Sequence, residues 1–510
     1  MGITYTDIAA GWPLLLVLQL IPLLTGLLLL KLRGRVVFVL AALAGLTEVV
    51  LTFLLYLGLD TTQPLGVMQY AEQVQIFGAL QYHAAVDGMS VLFLLLSSIL
   101  GLLCVVFILF RRLHGTAVLA VMLLIQATLV SQFVTLDLLW FTLMALLEVM
   151  LVAYLTLRWS TSLDVLPALS RYGLFMSVGL VLFLAGVLIT GWLFADQNGG
   201  RWSFDLYDLS QLDLTAKPEA LIFFLLFYGL AIRIPLFPFH GWLPDFLMYG
   251  NVAIAAIYLL GVKVGVYAML RFVFPLTAQA VEEWHIVAAA FAMTGVFYAA
   301  FLALQCTNLR RLLAFAVISH TGILTIGLFT LHKAALQGSV MLATSFGLAT
   351  SGLLLMTGLV WQRTGTTNLQ RLGGMFDYIP LVGVAFLVAG LAIVGMPGTP
   401  GFNAVHLVLE GSILSFGALV TIAAAIGNLI AAGFLLRSFQ RTFLGKPEGS
   451  TEQWDTGRVR VTESILAGTV ILITVVVGFY DEPWLALTEQ AVGGLEALWP
   501  DRAGSHGGHQ

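Results

Sequence analysis

Residues 228–271 read YGLAIRIPLFPFHGWLPDFLMYGNVAIAAIYLLGVKVGVYAMLR. Two apolar segments lie in this stretch, and each carries one cation: Arg233 in the first, Lys263 in the second. Between them come Pro235, Pro238 and Pro244, with His240, Trp242 and Asp245. A cation inside an apolar span costs ~3 kcal/mol or more on insertion scales, so it implies function and a nearby partner. Proline in such a span breaks the helix and frees backbone carbonyls, which is tolerated where protein or water satisfies them. The stretch therefore predicts two membrane helices, the first of them broken, with charge held around the break.

Composition sets the class. The chain has 510 residues, 60% of them hydrophobic and 10% charged, where a soluble protein carries nearer a quarter charged. This is an all-α polytopic membrane protein. The net charge of -4 gives no sign of a nucleic-acid partner. Cys104 and Cys306 both fall in apolar spans and supply neither a disulfide framework nor a metal site. The opening MGITYTDIAAGW lacks the positive n-region of a signal peptide. No glycine-rich phosphate loop or cysteine cluster is present, and the histidines within spans are too far apart for haem ligation. No cofactor or metal is expected.

About fourteen spans of roughly 20 residues are predicted from the bilayer thickness. They lie near 13–31, 36–58, 88–110, 116–135, 137–157, 171–194, 219–240, 252–273, 285–305, 310–331, 335–361, 379–410, 412–437 and 461–480. Spans seven and twelve are broken, at Pro235 and Pro238 and at Pro397 and Pro400. Loops after odd-numbered spans hold most Lys and Arg, among them Arg33, Arg35, Arg111, Arg112, Arg158, Arg310, Arg311, Arg363 and Arg441. Arg201, Lys217, Arg271, Lys333 and Arg502 fall on the opposite side. The positive-inside rule then places both termini outside, in a bacterial inner membrane. Residues 59–87 and 195–218 read as acidic outer loops, and Pro483 to Trp499 as an interfacial amphipathic helix. His506 and His509 read as loose polar residues of a flexible tail.

Each five-span unit, four to eight and nine to thirteen, has a broken helix in fourth place, the pattern of inverted repeats around a midplane site. The organisation expected is a three-helix region over 1–115, repeats over 116–273 and 285–437, and a last helix with its tail over 438–510.

The titratable residues inside spans are Glu48, Glu148, Arg233, Lys263, His320, His406 and Glu410. Each has a plainer reading as a packing device, paired once and inert. As a set they favour proton movement, because desolvation brings the pKa values of a carboxyl and an ammonium towards each other. Arg233 keeps its charge, so Glu148 with Arg233 reads as an electrostatic pair and Lys263 as the group that loads and releases a proton. His320 reads as a relay. Asp87 and Asp137 read as helix caps.

The pieces YHAAVDGMSVLF, LLEVMLVAYL, RIPLFPFHGWLPD, LLGVKVGVYAMLRF, NLRRLLAFAVISHTG, LQRLGGMF and GMPGTPGF together resemble the antiporter-like subunits of respiratory complex I, of the subunit M or chain 4 type. The resemblance runs from Tyr82 to Phe443. It implies a fourteen-helix fold and a place beside homologous membrane subunits. It also implies that Glu148, Lys263 and His320 are the buried Glu, central Lys and connecting His of a proton path. The chain departs from the family at Arg233, where a Lys is usual, at Leu147, at Phe346 and at Val405. The expected function is a proton-translocating subunit of a redox-driven complex, with His406 and Glu410 at the exit. The alternatives are a proton module for inorganic-carbon uptake or cation/proton antiport, and a scaffold without conduction.

Overall fold

The computed structural model describes residues 5–9, 11–111, 117–160, 162, 164–251, 255–448 and 452–500. Arg112, Arg502, His506 and His509 lie outside the described residues. The chain opens with β1 (Thr6–Ala9), α1 (Leu14–Leu29) and α2 (Arg35–Gly58), then a hairpin of β2 (Val67–Phe77) and β3 (Leu80–Val86). Next come α3 (Gly88–Arg111), α4 (Ala117–Val134), α5 (Leu138–Trp159), α6 (Val165–Gln197), the one-turn α7 (Leu206–Leu209) and α8 (Ala216–Arg233). Past the first proline break lie α9 (Leu243–Tyr249), α10 (Ala255–Ala268), a π-helical turn (Met269–Val273) and α11 (Phe274–Leu276). The second half holds α12 (Ala278–Gln305), α13 (Leu309–Leu328), α14 (Lys333–Thr364), α15 (Met375–Tyr378), α16 (Pro380–Val394), α17 (Gly401–Phe416) and α18 (Ala418–Phe439). A second π-helical turn (Gln440–Leu444), α19 (Val461–Phe479) and α20 (Glu482–Glu496) follow.

Eleven helices among the described residues are long and apolar enough to cross a membrane, and α1 and α16 are shorter apolar helices. The protein is a helical, multi-pass membrane protein. Burial sorts the helices into two classes. The apolar windows of α13 and α14 are 94% buried, whereas those of α18 and α19 are 28% buried. The first pair lies inside the bundle, as does the equally buried segment Leu259–Leu276. The second pair turns residues such as Leu419, Leu429, Leu472 and Phe479 outward, as a lipid-facing perimeter does. Where α6 and α8 cross, Gly179 and Gly229 meet: a Cβ on Gly229 would lie 2.8 Å from the Gly179 carbonyl. Small residues allow such close backbone approach in lipid.

Both proline breaks are satisfied from within the protein. After Arg233 the backbone turns, and the Ile232 carbonyl accepts from the Trp242 indole N–H at 2.9 Å. At the second break Gly395 takes φ +74°, ending α16, and the Val394 carbonyl accepts from Asn428 Nδ2 at 2.7 Å. Pro400 then caps α17.

One sequence expectation is corrected here. Residues 59–87 are not an irregular loop: they contain two strands of a three-stranded sheet, with β1 parallel to β2 and β2 antiparallel to β3. The reason is local. Gly78 supplies φ +56° at a two-residue turn between the alternating segments VQIF and LQYH. The expected amphipathic C-terminal segment is helical, as α20, and packs on α3 and α14. Its neighbour Trp499 is buried and donates to the Ala278 carbonyl at 2.9 Å.

Candidate functional site

The inward stripe of α5 runs through Leu138, Phe141, Ala145, Glu148, Val152 and Leu155, all buried. Helical spacing thus turns Glu148 into the bundle. There it forms an ion pair with Arg233 and accepts a hydrogen bond from Gln132 Nε2 at 2.8 Å. Arg233 ends α8, where the proline break turns the chain, and its Nε donates to the Gly261 carbonyl at 2.9 Å. Gly261 must be glycine for this contact. A Cβ there would lie 2.6 Å from Glu148 Oε1. The pair is therefore clamped against α10, two residues before Lys263.

Lys263 is buried and makes no hydrogen bond or ion pair with any described residue. It lines a small cavity with Leu259, Val262, Val317, His320, Thr321, Phe346 and Thr350. The space open to the centre of a water-sized sphere is about 10 Å³ there, close to what one water needs. Both ring nitrogens of His320 are buried without a partner among the described residues. Phe346 packs on the His320 ring with centroids 4.7 Å apart. A buried ammonium and an unsatisfied imidazole share one cavity, so a water between them would bond to both.

The two cations are held differently. Arg233 holds a fixed charge in a closed ion pair. Lys263 lines one cavity with the His320 imidazole.

The structure does not bring His406 and Glu410 into this cluster. Ala404, Val405, Val408 and Gly411 are the inward face of α17. His406 and Glu410, one turn apart, are exposed on the opposite face. The expected exit through these two side chains is not an interior route. Arg271, counted above among the outer-loop cations, is instead buried in the first π-helical turn. Its NH2 lies 2.6 Å from Asp87 Oδ1. Asp87 also accepts from the Ser90 N–H at 2.9 Å, and Asp137 from the Trp140 N–H at 2.7 Å, as helix caps. Glu48 sits on the inward stripe of α2, buried, and accepts from Gln126 Nε2 at 2.7 Å.

Three contributors escaped the sequence reading. Gln132, Gln126 and Gly261 all touch buried charge. The signal for the glutamines was present: two amides six residues apart in an otherwise apolar α4. Gly261 gave none beyond being a glycine near Lys263.

Comparisons with known proteins bear on the family and the fold. The NADH:quinone oxidoreductase/Mrp antiporter transmembrane family matches residues 135–431. NADH-quinone oxidoreductase subunit M of Escherichia coli is 28% identical over 461 residues, 86% of this chain and 88% of that protein. A chain of respiratory complex I from Thermus thermophilus with bound NADH superposes with a TM-score of 0.83 at 26% identity, covering 94% of this chain and 99% of that one. A chain of the Mrp complex from a Dietzia species has a TM-score of 0.84 at 18% identity, covering 96% and 98%, which is a likeness of fold.

Proposed function

We propose that this chain, which belongs to the NADH:quinone oxidoreductase/Mrp antiporter transmembrane family, is a proton-translocating membrane subunit of a complex I-like assembly. It acts beside other membrane subunits and moves protons along buried charged residues. The bundle reads as fourteen spans, with α10 to α11 counted once and α16 with α17 forming the broken twelfth. α4 to α11 and α12 to α18 are then the two inverted repeats, and the charge asymmetry puts both termini on the non-cytoplasmic side.

One observation carries the reading. A closed ion pair, Glu148–Arg233, is clamped to the backbone of the helix whose free ammonium, Lys263, shares a cavity with His320. Lys263 stores the proton, and His320 passes it on through water. Opening the Glu148–Arg233 pair changes the charge facing α10 and sets when Lys263 loads. Arg233 itself transfers no proton. Exposed on α17, His406 and Glu410 serve a neighbouring subunit or the lipid boundary rather than an interior path.

A second reading is a proton module for cation/proton antiport or inorganic-carbon uptake. The fold likeness to the Mrp complex, and a family that takes in Mrp antiporters, favour its antiport form. Affinity purification from native membranes separates the two. Co-purifying iron–sulfur and quinone-binding subunits support the first reading. Antiporter subunits, or a zinc-bearing soluble partner, replace it with the second. A chain that purifies with redox subunits but adds nothing to proton uptake by vesicles would overturn both.

A further inference from the structure

We propose that the sheet end of the bundle carries a second proton-holding site, in which the Asp137 carboxyl takes up and releases one proton beside Asp205. The inference deepens the proton-translocating reading and rests on it. Asp137 lies between α4 and α5, where residues 135–137 are stitched into the sheet end. Leu136 N–H donates to the His83 carbonyl at 2.9 Å, and Leu206 N–H to the Leu136 carbonyl at 2.9 Å. Asp137 and Asp205 face each other across an isolated antiparallel bridge. Both are buried.

The two carboxyls are treated differently. Asp205 Oδ2 is held by His83 Nδ1 at 2.5 Å and by Gln81 Nε2 at 2.9 Å, while its Oδ1 accepts from the Tyr207 N–H at 2.9 Å. Asp137 Oδ1 accepts from the Trp140 N–H, but its Oδ2 is buried with no partner among the described residues. A buried carboxylate oxygen without a donor, next to a second carboxylate, is costly to keep charged. A proton on Oδ2 removes that cost. Burial first, and then the Asp205 charge, push Asp137 up to about 7, against the Trp140 N–H bond and the nearby backbone N–H groups of Leu139 and Gln81, which lower it.

The charged frame around the site is defined on every side. His83 on β3 also meets Asp7 on β1, Nε2 to Oδ2 at 3.1 Å, and the Tyr207 hydroxyl donates to Asp7 Oδ1 at 2.5 Å. Beyond Tyr207 stands Arg271, closed onto Asp87. α4 brings Ser131 to this end, and Thr135 just after it accepts from the Asp137 N–H at 3.2 Å. From Asp137 a polar run leads inward. Trp140 Nε1 donates to Ser131 Oγ at 2.9 Å, and the adjacent Gln132 bonds Glu148 while its own Oε1 stays buried and unpaired. The transfer is simple: the O–H bond on Asp137 Oδ2 breaks as a water at the sheet end takes the proton, and re-forms on uptake. His83 remains charged throughout as a positioning group.

Infrared difference titration of the purified assembly tests this without any transport. The wild type should lose a protonated-carboxyl band as pH rises through neutrality. Asp137→Asn, which keeps a good helix cap, should lack that band. Asp205→Asn should move its midpoint down by about one pH unit or more through loss of the like charge. Equal bands in wild type and Asp137→Asn, or an unmoved midpoint in Asp205→Asn, would overturn the site. Failure of the underlying reading shows elsewhere, as full proton translocation by a Lys263→Ala assembly.

Discussion

Removing one side of the Glu148–Arg233 pair should be far worse than removing both. The two side chains are almost wholly buried and close on each other, with Gln132 and the Gly261 carbonyl completing the contact. Glu148→Ala strands the guanidinium with a single carbonyl acceptor, and Arg233→Ala strands the carboxylate with a single amide donor. Breaking a buried pair from one side costs about 3–5 kcal/mol, while replacing the pair by apolar residues of similar volume is often near neutral. The double variant Glu148→Leu/Arg233→Met should therefore recover most of the stability lost by either single variant, a coupling of roughly 3 kcal/mol or more. The assay is a double-mutant cycle of thermal unfolding on the assembled complex in detergent, with proton uptake by reconstituted vesicles measured alongside. Stability should return in the double variant and proton uptake should not. Single variants within about 1 kcal/mol of wild type would refute the closed pair, and proton uptake by the double variant would refute its role.

Other variants probe the surrounding contacts. Arg233→Lys keeps the charge and should retain or raise proton uptake; abolished uptake would give the guanidinium's two-pronged contact a geometric role. Gly261→Ala places a Cβ 2.6 Å from Glu148 Oε1, so it should cost about 1–3 kcal/mol as an overpacked core does and depress proton uptake, both read in the same assays. At the sheet end, burial works against the His83 imidazolium, but hydrogen bonds and charges from Asp205 and Asp7 outweigh it and raise the group to about 9. A raised folded-state pKa stabilises fully below the ordinary value near 6.5 and is lost as pH rises through about 9, a contribution of about 3 kcal/mol at most. Protection of the β1 and β3 amides, taken relative to the intrinsic exchange rate at each pH, should therefore fall across that window, and His83→Gln should flatten the response.

The parts of the site that were legible in the sequence are those where charge contradicts its surroundings. Glu148, Arg233 and Lys263 interrupt apolar runs, and lipid makes such interruptions expensive enough to be informative. The proline breaks were legible for a related reason, since both sit inside spans that otherwise continue. Misplacement began where closeness along the chain stood in for geometry. His406 and Glu410 follow the second break directly, yet the spacing of Gly401, Ala404, Val408 and Gly411 already turns them to the opposite face of α17. Arg271 ends an apolar run and so reads as an outer-side cation; the π-helical turn that buries it against Asp87 has no signature in the sequence. The sheet was hidden by its acidic residues, although alternation on both sides of Gly78 marked a hairpin. The His83–Asp205–Asp7 cluster joins three segments distant in sequence, and only the folded chain brings them together.

Proton translocation by the assembled complex carrying Lys263→Ala, measured in sealed vesicles with subunit content checked on the same preparation, bears most directly on the central claim. Lys263 is the one buried ammonium in the cavity it shares with His320. The expected result is a complex of unchanged subunit content that no longer translocates protons through this chain. Translocation at the wild-type level would contradict the account.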